Sequence, residues 1–131
     1  MHAFRDAVER GDFAGLGDLL ADDVVFRSPV AYRPYEGRPV VAAILRAVGR
    51  VFQDFRYTGE LEGDGGRSAL VFATRVGDVE LHGCDFITTD DAGRITELTV
   101  MVRPLSAANA LAEAMAAEFP RIQAEATEET A

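Results

Sequence analysis

Asp85 is the residue on which chemistry in this chain would turn, and the reason lies in the strands around it. If Gly77-Asp78 closes a two-residue hairpin, Val76 pairs with Val79, Thr74 with Leu81, Phe72 with Gly83 and Leu70 with Asp85. The opposite face pairs Arg75 with Glu80, Ala73 with His82, Val71 with Cys84 and Ala69 with Phe86, and a charged cross-strand pair belongs near water. Closing the next hairpin with Thr89 opposite Arg94 sets Leu98 beside Asp85, Val100 beside Gly83 and Val102 beside Leu81. That register buries three aliphatics, where a one-residue slip would bury Glu97, Thr99 and Met101. Asp85 is then an acid among Leu70, Phe72, Leu98 and Val100. Desolvation there raises its pKa and leaves a neutral carboxyl able to donate a hydrogen bond to a carbonyl or to protonate a leaving group. The plainer alternative is a structural acid satisfied by a tyrosine hydroxyl or a backbone amide.

Tyr32 and Tyr35 stand on a loop with two prolines, and either hydroxyl can reach a ligand or Asp85; packing at a rim without function is the alternative. Ser28, with no histidine beside it, is a lining hydroxyl at best. His82 alternates out of phase with Asp85 and faces Ala73 and Met101, which makes it a surface or interface histidine. The same parity takes Cys84 out of the pocket. Two histidines and one cysteine do not supply a metal site, and Gly63-Asp64-Gly65-Gly66 lacks the lysine and following helix of a phosphate loop, so neither a metal nor a cofactor is expected.

Helices and strands must position these groups. Phe4, Ala7 and Val8 share one face of a short helix over 2–10 that stops at Gly11, and Asp12 can cap a second helix bearing Phe13, Leu16, Leu19 and Leu20. A strand over 24–26, a loop over 28–35 and a long helix from Pro39 to Phe52 follow, with Val40, Ile44 and Val48 on its stripe. The period then changes to two: Phe55, Tyr57, Gly59 and Leu61 alternate with polar residues, and the strands over 67–76, 79–89 and 94–103 complete a four-stranded antiparallel meander. Ser106 can cap a last helix carrying Leu111, Met115 and Phe119, and beyond Pro120 the alanine- and glutamate-rich tail has too little to bury and is expected to fray.

A chain of 131 residues, 48% of them hydrophobic, suits one domain, here 1–119 with a flexible acidic tail over 120–131. Its formal charge of -9 repels phosphate backbones and anionic membranes, so no nucleic-acid or membrane partner is expected. No apolar run approaches the roughly 20 residues of a span, and the N-terminus is not a signal peptide, which points to the cytoplasm.

The order of elements resembles the cone-shaped α+β fold of the nuclear transport factor 2-like superfamily. Gly11-Asp12, Leu20-Ala21-Asp22-Asp23-Val24-Val25-Phe26, Ser28-Pro29, Tyr35-Glu36-Gly37-Arg38 and Asp91-Ala92-Gly93-Arg94-Ile95 are similar to ketosteroid isomerases and SnoaL-like polyketide cyclases. The resemblance covers about Phe4 to Phe119 and implies a curved antiparallel sheet packed on three N-terminal helices, plus a C-terminal helix. Ketosteroid isomerases place a tyrosine, an aspartate base and an acid at positions that fall here on Phe4, Ser28 and Asp85. Phenylalanine cannot donate to an enolate and an unassisted serine cannot take a proton from carbon near neutral pH. The arginine and second aspartate of limonene epoxide hydrolases are likewise missing, at Gly83 and around Val100. What the resemblance leaves is the cavity and Asp85.

The expected function is therefore a pocket for an apolar, carbonyl- or hydroxyl-bearing small molecule, with Asp85 as catalytic candidate and Phe4, Phe26, Ser28, Tyr32, Tyr35, Phe72, Thr74, Leu98 and Val100 as binding candidates. Two alternatives stand beside it. One is an isomerase, cyclase or dehydratase with Asp85 as general acid; the other is a homodimeric interaction module whose cone is filled by side chains. The outer sheet face, with Val71, Ala73, Cys84, Phe86, Ile95 and Met101, predicts a homodimer rimmed by Arg75, Glu80 and Arg103.

Overall fold

The computed structural model describes residues 2–130; Met1 and Ala131, the outermost residues of the expected leaderless N-terminus and fraying tail, lie outside the described residues. Helix α1 (Ala3–Glu9) buries Phe4, Ala7 and Val8, and the His2 ring caps it by accepting from the Arg5 N–H. The expected second helix is only a 3-10 segment, Ala14–Leu19, because Gly15 and Gly17 fall inside a six-residue stretch and helical propensity is low there. Asp12 still acts at its start: its carboxylate accepts from the Gly15 N–H at 3.0 Å.

Strand β1 (Leu20–Arg27) is longer than expected and absorbs Asp22 and Asp23, whose side chains face outward. Asp22 meets Arg38 at 2.7 Å. After the short β2 (Tyr35–Glu36) comes helix α2 (Arg38–Val51), with proline in its first turn and Val41, Ile44 and Leu45 buried. Strands β3 (Gln53–Glu62), β4 (Arg67–Val76), β5 (Val79–Thr89) and β6 (Ile95–Arg103) form the antiparallel meander. The sheet, however, has six strands in the order β2-β1-β6-β5-β4-β3, and β1 runs parallel to β6. It is curved and mixed, the α+β arrangement of the nuclear transport factor 2-like fold.

The β4–β5 pairing is the expected one throughout, from Val76 with Val79 to Leu70 with Asp85. The last hairpin is shifted by two residues: Asp85 pairs with Val100 and Gly83 with Val102, while a bulge follows Thr88. A shift of two preserves the face, so Leu98, Val100 and Val102 still point inward. The bulge does not preserve it for Ile95, which turns into the core instead of the outer face.

Helix α3 (Leu105–Thr130) corrects the expected stop at Phe119, since it continues through Pro120. Proline lacks the N–H that would bond the Ala116 carbonyl and costs roughly 3 kcal/mol inside a helix. Packing offsets that cost. Ile122 is 1% exposed against α2 and the sheet, and Arg46 and Arg50 of α2 reach Glu125 at 2.9 Å and Glu118 at 2.7 Å. Replacing Ile122 with alanine should therefore lower the free energy of unfolding by about 3 kcal/mol in urea titrations. An unchanged midpoint would mean that the stretch after Pro120 is not packed.

Candidate functional site

The concave face of the sheet and the helices above it enclose an apolar cavity of about 420 Å³. Asp85 enters it from the middle of β5, between Leu70 on β4 and Val100 on β6. Asp85 is 8% exposed; burial among apolar groups pushes its carboxyl up to about 7, and no cation among the described residues pulls the other way. Below neutrality this acid keeps its proton, and near pH 7 it begins to release it.

A second polar group shares the wall. Tyr57 comes from β3, and its hydroxyl is buried with no hydrogen-bond partner among the described residues. Burial raises the ionisation of the phenol well above its ordinary range, and the Asp85 charge raises it further. Two neighbours pack on the ring, Phe55 in a T-shaped contact at 5.0 Å and the Arg5 guanidinium 5.3 Å from its centroid. Arg5 is in turn held by Glu60 at 3.0 Å and Glu9 at 3.4 Å. An unpartnered buried hydroxyl costs roughly 1–3 kcal/mol, a cost relieved by any acceptor that enters the cavity.

Of the residues expected at the site, Phe4, Phe26, Ser28, Tyr35, Phe72, Leu98 and Val100 line the cavity with Asp85. Two do not. Tyr32 is fully exposed on its loop. Thr74 points inward but lies beyond the cavity, and its hydroxyl donates to the Gln53 carbonyl at 2.7 Å. Ser28 accepts from the Val30 N–H at 3.0 Å, which leaves its own proton to point elsewhere. His82 is exposed and meets Arg103 at 3.1 Å, and Cys84 is half-buried on the outer side.

Sequence reasoning missed Tyr57, Phe52, Phe55 and the contribution of α3, from which Leu111, Met115, Phe119 and Ile122 form a roof. The signal for Tyr57 was present in the alternation of Phe55, Tyr57 and Gly59. Asp85 is the sole carboxylate among the described lining residues. Nothing in the wall could serve as a second acid or base of comparable strength, and no described cluster of three or more His, Cys, Asp or Glu could hold a metal ion. No described helix is long and apolar enough to cross a membrane.

The cavity wall thus holds one acid and two phenols, Tyr57 and Tyr35, in an otherwise largely apolar lining. A SnoaL-like domain matches residues 1–98, and the chain belongs to that family. It is similar to a protein described as a steroid delta-isomerase from Pseudomonas aeruginosa, with 46% identity, TM-score 0.85, and 91% of this chain and 88% of that one covered. A bacterial protein with a cystatin-like fold from Silicibacter pomeroyi DSS-3 is 36% identical over 95% of each chain, with TM-score 0.83. An NTF2-like protein from Mesorhizobium loti, 22% identical with TM-score 0.67 over 77% of this chain and 85% of that one, shares the fold. No curated protein matches the chain.

Asp85 also makes stability depend on pH. Between its ordinary value of 3.8 and about 7 the unfolded chain releases this proton while the folded chain keeps it. The contribution is thus complete below the lower value and lost as pH rises through the upper one, about 4 kcal/mol at ~1.4 kcal/mol per pH unit. Asp85→Asn should remove that slope, so the stability gap between variant and parent should widen from pH 4 to 7 in the variant's favour. A flat difference would place the carboxyl in water.

Proposed function

We propose that this chain binds an apolar small molecule bearing a carbonyl or hydroxyl, and that neutral Asp85 and the Tyr57 hydroxyl donate hydrogen bonds to its oxygen. The observation that carries this reading is the pairing of an unpartnered buried hydroxyl with a proton-retaining carboxyl on the wall of one apolar cavity. Two donors converging on one oxygen fix orientation, and the aromatic lining supplies the affinity. Similarity to a protein described as a steroid delta-isomerase supports a ligand with a rigid, ketone-bearing ring system. The open volume argues against the module whose cone is filled by its own side chains.

The second reading is catalytic, an isomerase, cyclase or dehydratase with Asp85 as general acid. A pKa pushed up to about 7 favours it, because such a group both gives and takes a proton near neutrality. Of the two hydroxyls expected to assist it, Tyr35 lines the cavity and Tyr32 is exposed, and Tyr57 joins Tyr35 as a candidate partner. Enolisation of a ketone needs a base as well as a donor, and Ser28 stands where the related isomerases carry theirs, so binding is the leading reading.

For 9-fluorenone as probe, Tyr57→Phe should raise Kd about tenfold, and Asp85→Leu by at least as much, since each removes a donor worth ~1.4 kcal/mol or more. Affinity of the parent should fall as pH rises through and above 7, when the carboxyl ionises and can no longer donate. Asp85→Asn, whose amide still donates, should bind at neutral pH without that dependence. Equal affinity in all four proteins would remove both groups from the site.

We also propose a homodimer through the outer sheet face. Phe86 is 44% and Met101 59% exposed, beside half-buried Val71 and Cys84. The patch is smaller than the sequence pattern implies, because Ala73 and Ile95 are buried within the chain. The rim differs as well: Arg103 sits opposite His82, and Arg75 binds Asp54 at 2.8 Å. Changing Phe86 and Met101 together to glutamate should give a folded monomer by light scattering; a parent mass near 14.1 kDa would end the proposal.

A further inference from the structure

Gly83 is the one residue of the inward face of β5 near Asp85 without a side chain, and its backbone does not explain why. Its φ lies outside the left-handed region, so any residue could take that conformation, and glycine inside a strand weakens it. Space explains it. The Phe72 ring lies directly on Gly83: a Cβ there would run into Cζ at the tip of the ring and stand 2.7 Å from both Cε atoms, closer than packed carbons come. The ring is also held from above, 4.9 Å from Phe55 in a stacked arrangement and 5.8 Å from Phe52. Phe72 and Gly83 are cross-strand partners, one row of the sheet from Leu70 and Asp85.

From this geometry, and resting on the binding reading above, we infer that Gly83 determines the size of ligand the cavity admits, by seating the Phe72 ring flat on the sheet beside the Asp85 donor. Any side chain at position 83 lifts the ring off the strand. With Phe55 stacked on it and Phe52 tilted against it, the lifted ring can move only by displacing them or by entering the cavity, and either removes space next to the polar groups. The position thus selects by volume and contributes no polar group of its own. Cavity walls yield little because interiors are close-packed, so one methyl group is felt.

Xenon tests the space without reference to hydrogen bonding, since it occupies dry apolar cavities. In ¹²⁹Xe titrations Gly83→Ala should weaken xenon binding by roughly fivefold or more, and adding Phe72→Leu to that variant should restore it. Phe72→Leu alone, with Gly83 kept, should bind xenon more tightly than the parent, a result that does not depend on the alanine variant folding. Ketones of graded size then read selectivity. Gly83→Ala should weaken 9-fluorenone roughly tenfold and cyclohexanone less than about twofold. Unchanged xenon binding in Gly83→Ala, no restoration in the double variant, or equal losses for both ketones would overturn the inference. Failure of the parent to bind any ketone, with the xenon pattern as expected, would instead overturn the binding reading and leave Gly83 as the residue that sets the open volume.

Discussion

A carboxyl surrounded by aliphatic and aromatic side chains, with no described cation beside it, favours the neutral acid up to about neutral pH. That constraint on Asp85 organises the rest of the molecule. An uncharged acid in a dry wall is tolerable because it carries a single proton and meets an open cavity rather than packed hydrocarbon. The cavity in turn needs a roof, and the roof is α3, which must run past Phe119 to bring Ile122 against the cavity. The arginine–glutamate contacts between α2 and α3 are half-exposed and each contributes modestly. Ile122, sealed from water, does more to hold the roof than any one of them.

The aromatic side chains divide between two tasks. Phe26, Tyr35 and Phe119 form a chain of tilted contacts at 6.4 and 6.3 Å that joins β1, β2 and the roof near the loop over 28–34. Phe52, Phe55 and Phe72 stack at the other end, where Tyr57 leans on Phe55. Rings are suited to walls of this kind because they cover much area with few rotatable bonds, so the cavity does not collapse when empty.

How much of this was legible in the sequence depends on which constraint fixed each residue. A two-residue turn at Gly77-Asp78 leaves one register for β4 and β5, and with it the inward placement of Asp85, Phe72 and Gly83. The longer turn after Thr89 left room for a bulge, and the pairing slipped by two without changing the face, except at Ile95. Loop residues obey no period, so nothing distinguished Tyr32, fully exposed, from Tyr35, which lines the cavity. Thr74 shows the limit of parity: it faces inward, yet a row near the end of the sheet lies past the cavity, where the Gln53 carbonyl takes its proton. The continuation of α3 was hidden because Pro120 signals a stop locally, while the burial of Ile122 is a tertiary gain invisible in sequence spacing.

On the proposed reading, Tyr57 takes up a donor's role from a different element of the scaffold. In the resemblance to ketosteroid isomerases the donor from the first helix falls on Phe4, which lines the cavity but has nothing to donate. A phenol nevertheless reaches the same enclosed space from β3, and Arg5, the residue after Phe4, packs on its ring. The first helix therefore still bears on the donor, by holding a tyrosine from another strand instead of carrying one. No such substitute exists for the base: Ser28 occupies that position, and Asp85 is the sole carboxylate in the described wall. A scaffold that retains two donors and lacks a separate proton acceptor can polarise a carbonyl without drawing a proton from the carbon beside it. Such an arrangement favours tight, oriented binding of a ketone, and any turnover would have to cycle its proton through Asp85 alone.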